Sequence, residues 1–371
     1  MKPCITPHFY SDLDIFKKEQ TTLFQRLWQF VCLVEDIANH NDYICTEVGG
    51  KSVIIQNFEG ELKAFHNVCS HRFSRIRQPG QGNGPLKCPY HGWAYDSRGI
   101  PVGIPCRSEF DDLTNPVSQS FGLDKWLVET CGSLVFIKRY DDGITLKEFL
   151  KPEIFDKLEK ISKALGKKIG YYQSTIKANW KIVVENSLED YHVRQIHPQT
   201  LGKFFIPESN YYFVSFHSVG TLMPAKQGKK QELLESVFSS RPYKVDKYHH
   251  YLVFPNMMIA TTRGLSFSVQ SVYPISPFET RFTSYLFLSR LDDTNNISLS
   301  NQNIIDTLSE SIVKFNSAVL NEDKMVCELV QQGIVETEKT GILSSREQRI
   351  YEFQKAYDSI ISYYNKGEKA K

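Results

Sequence analysis

Two cysteine–histidine pairs stand close together in the first third of the sequence. One residue separates Cys69 from His71, two separate Cys88 from His91, and sixteen lie between the pairs. The proline and glycine residues of the intervening segment allow two short loops to converge. Thiolates and imidazoles in this number bind a tetrahedral zinc ion or a two-iron cluster. Because each loop supplies one cysteine and one histidine, the pattern favours the cluster, with both cysteines on one iron and both histidines on the other.

A second pair of histidines, His192 and His197, lies in the segment ENSLEDYHVRQIHPQT. Five steps along an ideal helix leave two side chains roughly 140° apart, so these histidines can share a metal only if the helix is distorted or ends between them. Pro198 disfavours helix at His197, which predicts a helix end or a π-bulge there. From spacing alone, two histidines at an exposed helix end remain an equal interpretation.

Bulk properties exclude several classes of protein. The 371 residues carry a net charge of +2, which gives no reason to expect nucleic acid or an acidic membrane surface as a partner. No apolar run approaches the roughly 18 residues of a membrane span, and the N-terminal residues lack the apolar segment of a signal peptide. We therefore expect a cytoplasmic protein whose eight cysteines are reduced.

The periodicity of apolar residues predicts the helices and strands that must position these groups, and it indicates an α+β protein. Residues 1–35 are expected to be a helical segment that packs on the second domain, residues 36–144 a small all-β domain, and residues 145–366 a second domain with an antiparallel sheet flanked by helices. Residues 367–371 are expected to be a disordered tail. Within the second domain, the pattern predicts strands at 210–220, 249–262, 265–275 and 279–290, and helices at 145–166, from 177, at 302–333 and at 345–364.

The first metal motif resembles the Rieske domain of ring-hydroxylating oxygenase α-subunits, which are Rieske non-haem iron oxygenases. The shared pattern is Cys-x-His…Cys-x-x-His followed by PYHGWAYDSRG. The resemblance implies a 2Fe-2S cluster held by Cys69, His71, Cys88 and His91. One departure is Phe73, where the family commonly has glycine after the His-Arg dipeptide; it removes no ligand.

The segment NWKIVVENSLEDYHVRQIHP resembles the iron-binding segment of the same family. It implies a mononuclear Fe(II) bound by His192, His197 and a later carboxylate, a set that leaves positions open for O2. Asp323, in NEDKMVCELVQQGI, is the residue carried over, with adjacent Glu322 as the fallback. A zinc hydrolase could use the same three ligands, but it would leave the cluster without a purpose.

In this family an acidic residue, three positions before the first iron histidine, links the cluster of one subunit to the iron of the next. Glu189 occupies that position, and the i,i+3 spacing places it within reach of His192. Its other end is expected at His71 or His91 of a neighbouring chain, with His91 preferred. Glutamate there resembles the choline- and carnitine-monooxygenase branch. The family match also places Asn186 near the iron, whereas Asp190 is expected in a local salt bridge or at the surface.

The resemblance implies the oxygenase component of a multi-component enzyme that uses O2 and two externally supplied electrons. The chain has no dinucleotide fingerprint, so electrons from NAD(P)H are expected through a ferredoxin, a flavin reductase or both, and head-to-tail transfer implies a closed ring, by precedent a homotrimer. We expect mono-oxygenation of a small organic substrate, including oxidative demethylation or C–N cleavage. The alternatives are a dioxygenase that forms cis-diols on an aromatic acid, and a Rieske electron carrier without oxygenase activity. Candidate pocket residues are Phe204, Phe205, Phe213, Phe216, His217, Met257 and Phe267.

Overall fold

Two seven-stranded antiparallel sheets carry the two metal motifs, one sheet in each of two units. The computed structural model describes residues 6–110, 121–204, 209–223, 229–291 and 299–368. One unit is Glu19–Phe149, and the other combines Met1–Lys18 with Leu150–Lys371. The α+β class predicted from the sequence is confirmed, with an all-β unit and a unit of sheet plus helices. None of the described helices combines the length and apolarity needed to span a bilayer.

The sheet of the unit Glu19–Phe149 has the order β1-β9-β8-β4-β3-β2-β5, and every neighbouring pair in it is antiparallel. The left-handed backbone of Gly49 and Gly50 closes the β2–β3 hairpin, at the turn that the sequence predicts. A separate two-stranded hairpin, β6–β7, follows the second cysteine–histidine pair. The strands are β1 (Gln29–Leu33), β2 (Asp42–Val48), β3 (Lys51–Phe58), β4 (Glu61–His66), β5 (Gly80–Asn83), β6 (Ala94–Tyr95), β7 (Pro101–Gly103), β8 (Lys125–Cys131) and β9 (Leu134–Lys138).

The predicted helical segment 1–35 is wrong in its last part. Helix α1 (Leu13–Glu19) and a π-helical turn (Gln20–Phe24) are present, but Gln29–Leu33 form strand β1, which pairs with β9. Both faces of β1 are largely buried, so its residues form a continuous apolar run. Such a run cannot be assigned to helix or strand from periodicity, and the pairing with β9 decides it.

The sheet of the other unit has the order β10-β16-β15-β14-β13-β12-β11. Strands β11 to β16 form a meander of consecutive hairpins. The strands predicted at 265–275 and 279–290 are confirmed as β15 and β16, but the strands predicted at 210–220 and 249–262 each divide into two strands of a hairpin. Strand β10 was not predicted; it adds an edge whose side chains are mostly half-exposed and polar. The strands are β10 (Leu165–Ile176), β11 (Asn210–Val214), β12 (His217–Leu222), β13 (Tyr248–Val253), β14 (Met257–Thr262), β15 (Ser266–Ser276) and β16 (Glu279–Ser289).

Helices cover this second sheet and supply the second metal motif. The longest, α7, packs against β10, α3 and α4 and so faces the histidine segment. The two predicted closing helices are confirmed, and a capping box formed by Ser344 and Glu347 precedes the last one. The last helix includes residues 367 and 368 of the predicted tail, and residues 369–371 lie outside the described part. The helices are α2 (Leu146–Ala164), α3 (Trp180–Asn186), α4 (Val193–Ile196), α5 (Leu201–Phe204), α6 (Lys229–Val237), α7 (Leu299–Val335) and α8 (Gln348–Glu368).

Candidate metal centres

The two cysteine–histidine loops are closed by their own backbone hydrogen bonds. The amide of Phe73 donates to the carbonyl of Cys69 at 3.0 Å, and the amide of Gly92 donates to the carbonyl of Cys88 at 3.1 Å. Each loop therefore returns on itself and presents its metal-binding side chains on one side. Phe73 has a φ of 60°, in the left-handed region. This explains why glycine is favoured at this position, since only glycine adopts that conformation without strain.

The four donor side chains of these loops form two like pairs. Cys69 and Cys88 are buried, and each thiol lies within hydrogen-bonding reach of the other. The rings of His71 and His91 have centroids 4.6 Å apart, and His71 stacks on Trp93 at 4.9 Å. The structure thus pairs cysteine with cysteine and histidine with histidine, although each loop carries one of each.

The chemistry of this centre fits a two-iron cluster. Burial raises the pKa of the Cys69 thiol and lowers the pKa of His71, so without a metal both groups favour the neutral form. The Nδ1 atom of His71 is buried and has no hydrogen-bond partner among the described residues, which is costly unless a metal or proton donor meets it. The Tyr95 hydroxyl lies 3.0 Å from the Cys69 sulfur, where it can donate to a thiolate.

His192, His197 and Asp323 meet in the second unit, with one ligand atom from each within 4.8 Å of the other two. The Nε2 atom of His197 lies 3.0 Å from Oδ1 of Asp323, and that of His192 lies 3.6 Å from the same oxygen. His197 is fully buried and the other two are partly covered. Two imidazoles and one carboxylate converging in this way fit a mononuclear divalent metal.

The backbone between the two histidines differs from one continuous helix. Helix α3 ends at Asn186, a turn follows, and α4 occupies only the four residues between His192 and His197. The predicted helix end ahead of Pro198 is confirmed, because α4 stops at Ile196. The helical face that was expected to join Glu189 to His192 is wrong: Glu189 lies in the turn, where its carboxylate accepts from the backbone amides of Tyr191 and His192.

The outer nitrogen of each histidine already meets a carboxylate. Glu189 forms a short contact with Nδ1 of His192, as the sequence predicts. Glu322 lies 2.6 Å from Nδ1 of His197, and the same oxygen accepts from the Thr200 hydroxyl at 2.6 Å. Carboxylates in these positions fix the tautomer and leave Nε2 for the metal.

Sequence reasoning missed the contact made by Glu322, which it considered only as a fallback ligand. Glu322 and Asp323 diverge on the helix, as expected, but the His197 ring lies between them. Asn186 also has a definite partner, since its amide nitrogen donates to Oδ1 of Asp323 at 2.9 Å. Neither contact is recognisable in the sequence, because each joins α7 to a segment more than 120 residues away.

Electrostatics of the triad favour a bound cation. Burial would lower the pKa of His192, but hydrogen bonds and charges from Asp323 and Glu189 outweigh it and raise that pKa to about 10. Burial would raise the pKa of Asp323, but His192 and His197 lower it to about 2. Three carboxylates therefore surround two histidines, and a divalent metal can replace the protons that compensate this charge.

Two other carboxylates of the segment ENSLEDYHVRQIHPQT, Glu185 and Asp190, have structural partners. Glu185 is buried and accepts from the Tyr10 hydroxyl at 2.9 Å and from the Gln354 amide at 3.0 Å. Asp190 forms a salt bridge with Arg346 at 2.9 Å, as expected, and also accepts from Ser209. Asp190 is buried, however, so its surface placement was wrong.

A cavity of about 440 Å³ opens beside the triad and is lined by His192, His197 and Asp323. Of the predicted pocket residues, Phe267 lines it, whereas Phe213, Phe216, His217 and Met257 do not. Phe205 lies outside the described residues, and the side chain of Phe204 is not described. The volume is within the range of small-molecule sites, roughly 300–1,000 Å³.

Comparison with known proteins identifies the class to which these two centres belong. Residues 162–363 match the family described as "Ring hydroxylating alpha subunit (catalytic domain)", and residues 27–122 match the "Rieske [2Fe-2S] domain". The first match covers more than half of the chain, so the protein belongs to the ring-hydroxylating α-subunit family and carries a Rieske domain. Membership implies a 2Fe-2S cluster and a mononuclear iron, which the two donor sets fit.

Individual relatives share parts of the chain to different extents. The glycine betaine monooxygenase oxygenase subunit of Pseudomonas aeruginosa is 31% identical over 204 residues, which is 52% of this chain but only 44% of that protein. The carnitine monooxygenase oxygenase subunit of Acinetobacter pittii is 26% identical over 332 residues, or 88% of this chain and 84% of the relative. The fold is shared with the quaternary ammonium Rieske monooxygenase CntA in complex with an inhibitor, with a TM-score of 0.78 at 19% identity over 96% of this chain and 95% of that one.

Proposed function

We propose that the protein is the oxygenase component of a Rieske non-haem iron monooxygenase. It would hydroxylate a small organic substrate with O2, two external electrons and two protons, giving the hydroxylated product and water. The observation that carries this proposal is the His192–His197–Asp323 cluster on the wall of the 440 Å³ cavity. A Rieske electron carrier has no use for a three-ligand site that faces a cavity.

Each donor set has a proposed role. Cys69, His71, Cys88 and His91 would hold the 2Fe-2S cluster, and His192, His197 and Asp323 would hold Fe(II). When bound, the cluster supplies single electrons and the mononuclear iron activates O2. The chain's own contribution is to fix the imidazoles through Glu189 and Glu322, to hold Asp323 through Asn186, and to exclude water around the substrate.

Glu189 is the proposed bridge for electrons between neighbouring subunits. Its contact with Nδ1 of His192 supports this role. The structure of a quaternary ammonium Rieske monooxygenase with the same fold has given insights into inter-subunit electron transfer in that protein. The same reasoning supports a homotrimer, which would place His91 or His71 of a neighbouring chain at the other end of the carboxylate. A ferredoxin, a flavin reductase or both would deliver electrons from NAD(P)H.

The proposed substrates follow two relatives, one that matches 88% of the chain and one that matches 52% of it. Carnitine and glycine betaine are named in those relatives, and they support oxidative attack on a carbon next to nitrogen. We also propose that residues 36–144, together with strand β1 (Gln29–Leu33), form the Rieske domain, that residues 145–366 form the catalytic domain, and that the protein is cytoplasmic. The location is supported by the seven cysteines of the described residues, all of which are free.

The decisive experiment combines iron analysis with product analysis. The purified, cluster-containing protein should bind about three irons per chain, two in the cluster and one in the triad. With a surrogate reductase and NADH, carnitine, glycine betaine and anthranilate would be tested under ¹⁸O2, and products identified by mass spectrometry. One labelled oxygen in the product supports mono-oxygenation, and two support the dioxygenase alternative. About two irons and no product with any substrate would support the electron carrier instead.

A further inference from the structure

Arg349 of α8 is a buried cation on the wall of the cavity beside the triad. It is 3% exposed and is among the residues that line the cavity. Its Nε donates to the Ser218 hydroxyl at 3.1 Å, and its terminal nitrogens donate to Nδ1 and the carbonyl of His250 at 3.3 Å. These acceptors are uncharged, because burial and the Arg349 charge lower the pKa of His250 well below its usual value.

No carboxylate neutralises Arg349 within the described residues: none of their carboxylate oxygens lies within 4.0 Å of its guanidinium nitrogens. The contrast is Arg346, one turn earlier on the chain, which pairs with Asp190 at 2.9 Å. Burial lowers the pKa of Arg349 to about 10, so the side chain still carries its charge at neutral pH. A buried guanidinium without an anion is costly, and such groups normally meet a carboxylate or a phosphate.

The surrounding strands leave room for this guanidinium. A side chain at Gly220 of β12 would place its Cβ 2.8 Å from a terminal nitrogen of Arg349, so the guanidinium would have to move from its present position. Gly220, His250 and Tyr248 line the same cavity. The charges of Arg349 and Asp323 shift the pKa of Tyr248 in opposite directions, which places Tyr248 within electrostatic range of both the arginine and the triad.

We propose that Arg349 binds a carboxylate group of the substrate and thereby orients the rest of the molecule toward the triad. This inference rests on the proposed function, because the proposed function is what identifies the bound carboxylate as part of the substrate. The guanidinium has five N–H groups and only three acceptors in the described residues, so it can still donate to an incoming anion. A carboxylate would supply the missing charge and accept a two-point contact that a neutral group cannot match.

The test compares matched ligands that differ only in charge. Carnitine, glycine betaine and anthranilate would each be paired with the corresponding carboxamide, and binding to the iron-loaded protein measured by calorimetry without reductase. We expect at least one carboxylate to bind about 30-fold or more tightly than its amide. Arg349→Met should reduce that ratio to about threefold or less, and Arg349→Lys should keep only part of the preference because lysine lacks the planar fork.

The control is Arg263→Met, which removes another cation that already has an acidic partner, Glu235 at 2.8 Å, and that does not line the cavity. It should leave the carboxylate-to-amide ratio unchanged. The absence of a carboxylate preference in the unmodified protein, including a failure of every carboxylate to bind, would overturn the inference, and so would an unchanged ratio in both Arg349 variants. Product formation without a preference for the carboxylate would support the proposed function and overturn the proposed role of Arg349. A preference for the carboxylate without product formation would support the role of Arg349 but not the proposed function.

Discussion

The cysteine–histidine centre and the His192–His197–Asp323 centre present their donor atoms in opposite electrostatic surroundings. In the first, the two cysteine donors are buried among apolar groups, the two histidine donors are partly exposed, and the Nδ1 atom of His71 has no partner among the described residues. In the second, both histidines contact a carboxylate through their outer nitrogens, and Asp323 accepts a hydrogen bond from Asn186. The donors of the first centre include no carboxylate, whereas the second centre contains three carboxylates and faces a cavity.

This difference matches the two tasks that the centres are proposed to perform. A group that only changes its redox state needs ligands in fixed positions, and the backbone-closed loops provide them. A metal that must exchange a ligand for O2 needs an open side and a rigid remainder. The carboxylates around the triad supply that rigidity without occupying the Nε2 atoms, so they can be tested separately from the ligands.

The largest expected effect is the independent loss of either metal. Asp323→Ala should reduce the iron content from about three to about two per chain and abolish product, while the Rieske-type EPR signal remains. Cys88→Ala should abolish that signal. Loss of the EPR signal in Asp323→Ala, with correct folding by circular dichroism, would contradict the separation of the two centres.

Replacing the proposed electron bridge is expected to have the next largest effect. Glu189→Gln should keep both metals but slow product formation by roughly 10- to 100-fold, because the His192 ring loses its charged partner. The measurement is the rate at which a pre-reduced cluster is reoxidised in the presence of substrate and O2. If Glu189 only positioned the His192 ring, its replacement would lower iron occupancy but would not change the reoxidation rate per bound iron. The measurement therefore distinguishes positioning of the ring from electron transfer. Reoxidation at the unmodified rate would exclude the bridge.

Glu322 contacts the other histidine and is expected to affect metal affinity instead. Glu322→Gln should weaken Fe(II) binding roughly 10- to 100-fold, because the carboxylate on Nδ1 of His197 is lost. Thr200→Val removes only one hydrogen bond to the same oxygen and should cost less than tenfold. Competition with a chelator, followed by iron analysis, measures both. Cluster reoxidation per bound iron should stay normal in Glu322→Gln, in contrast to Glu189→Gln.

The sequence predicted the metal donors better than their surroundings. Cysteine and histidine at short spacings are readable because few other chemistries require them. Alternation is local and identifies the region of β11 to β16 as strands, but it missed the turns that divide β11 from β12 and β13 from β14. Glu322 and Arg349 were not readable, since each acquires its role from a partner about 100 residues or more away. On sequence evidence alone, both are ordinary charges on helices that could equally face solvent. Strand β1 failed for a similar reason, because only its pairing with β9 distinguishes it from a helix.

The smallest expected effect concerns Glu185. This carboxylate lies in the same segment as His192 and His197, but it contacts neither metal centre. Burial raises its pKa to about 7, against hydrogen bonds from Gln354 and Tyr10 that favour the charged form. A raised pKa means that the folded protein holds the proton more tightly, so this group stabilises the fold at pH 4.5 relative to pH 8, and the contribution is lost as the pH rises through about 7.

Glu185→Gln should therefore remove part of the loss of stability between pH 5 and pH 8. A shift of this size corresponds to at most about 3 kcal/mol, and the neighbouring Lys181 reduces it. Thermal midpoints of both proteins at several pH values between 5 and 8 measure the difference, with iron content checked at each pH. An equal pH dependence in the two proteins would show that Glu185 is ionised in the folded state throughout this range.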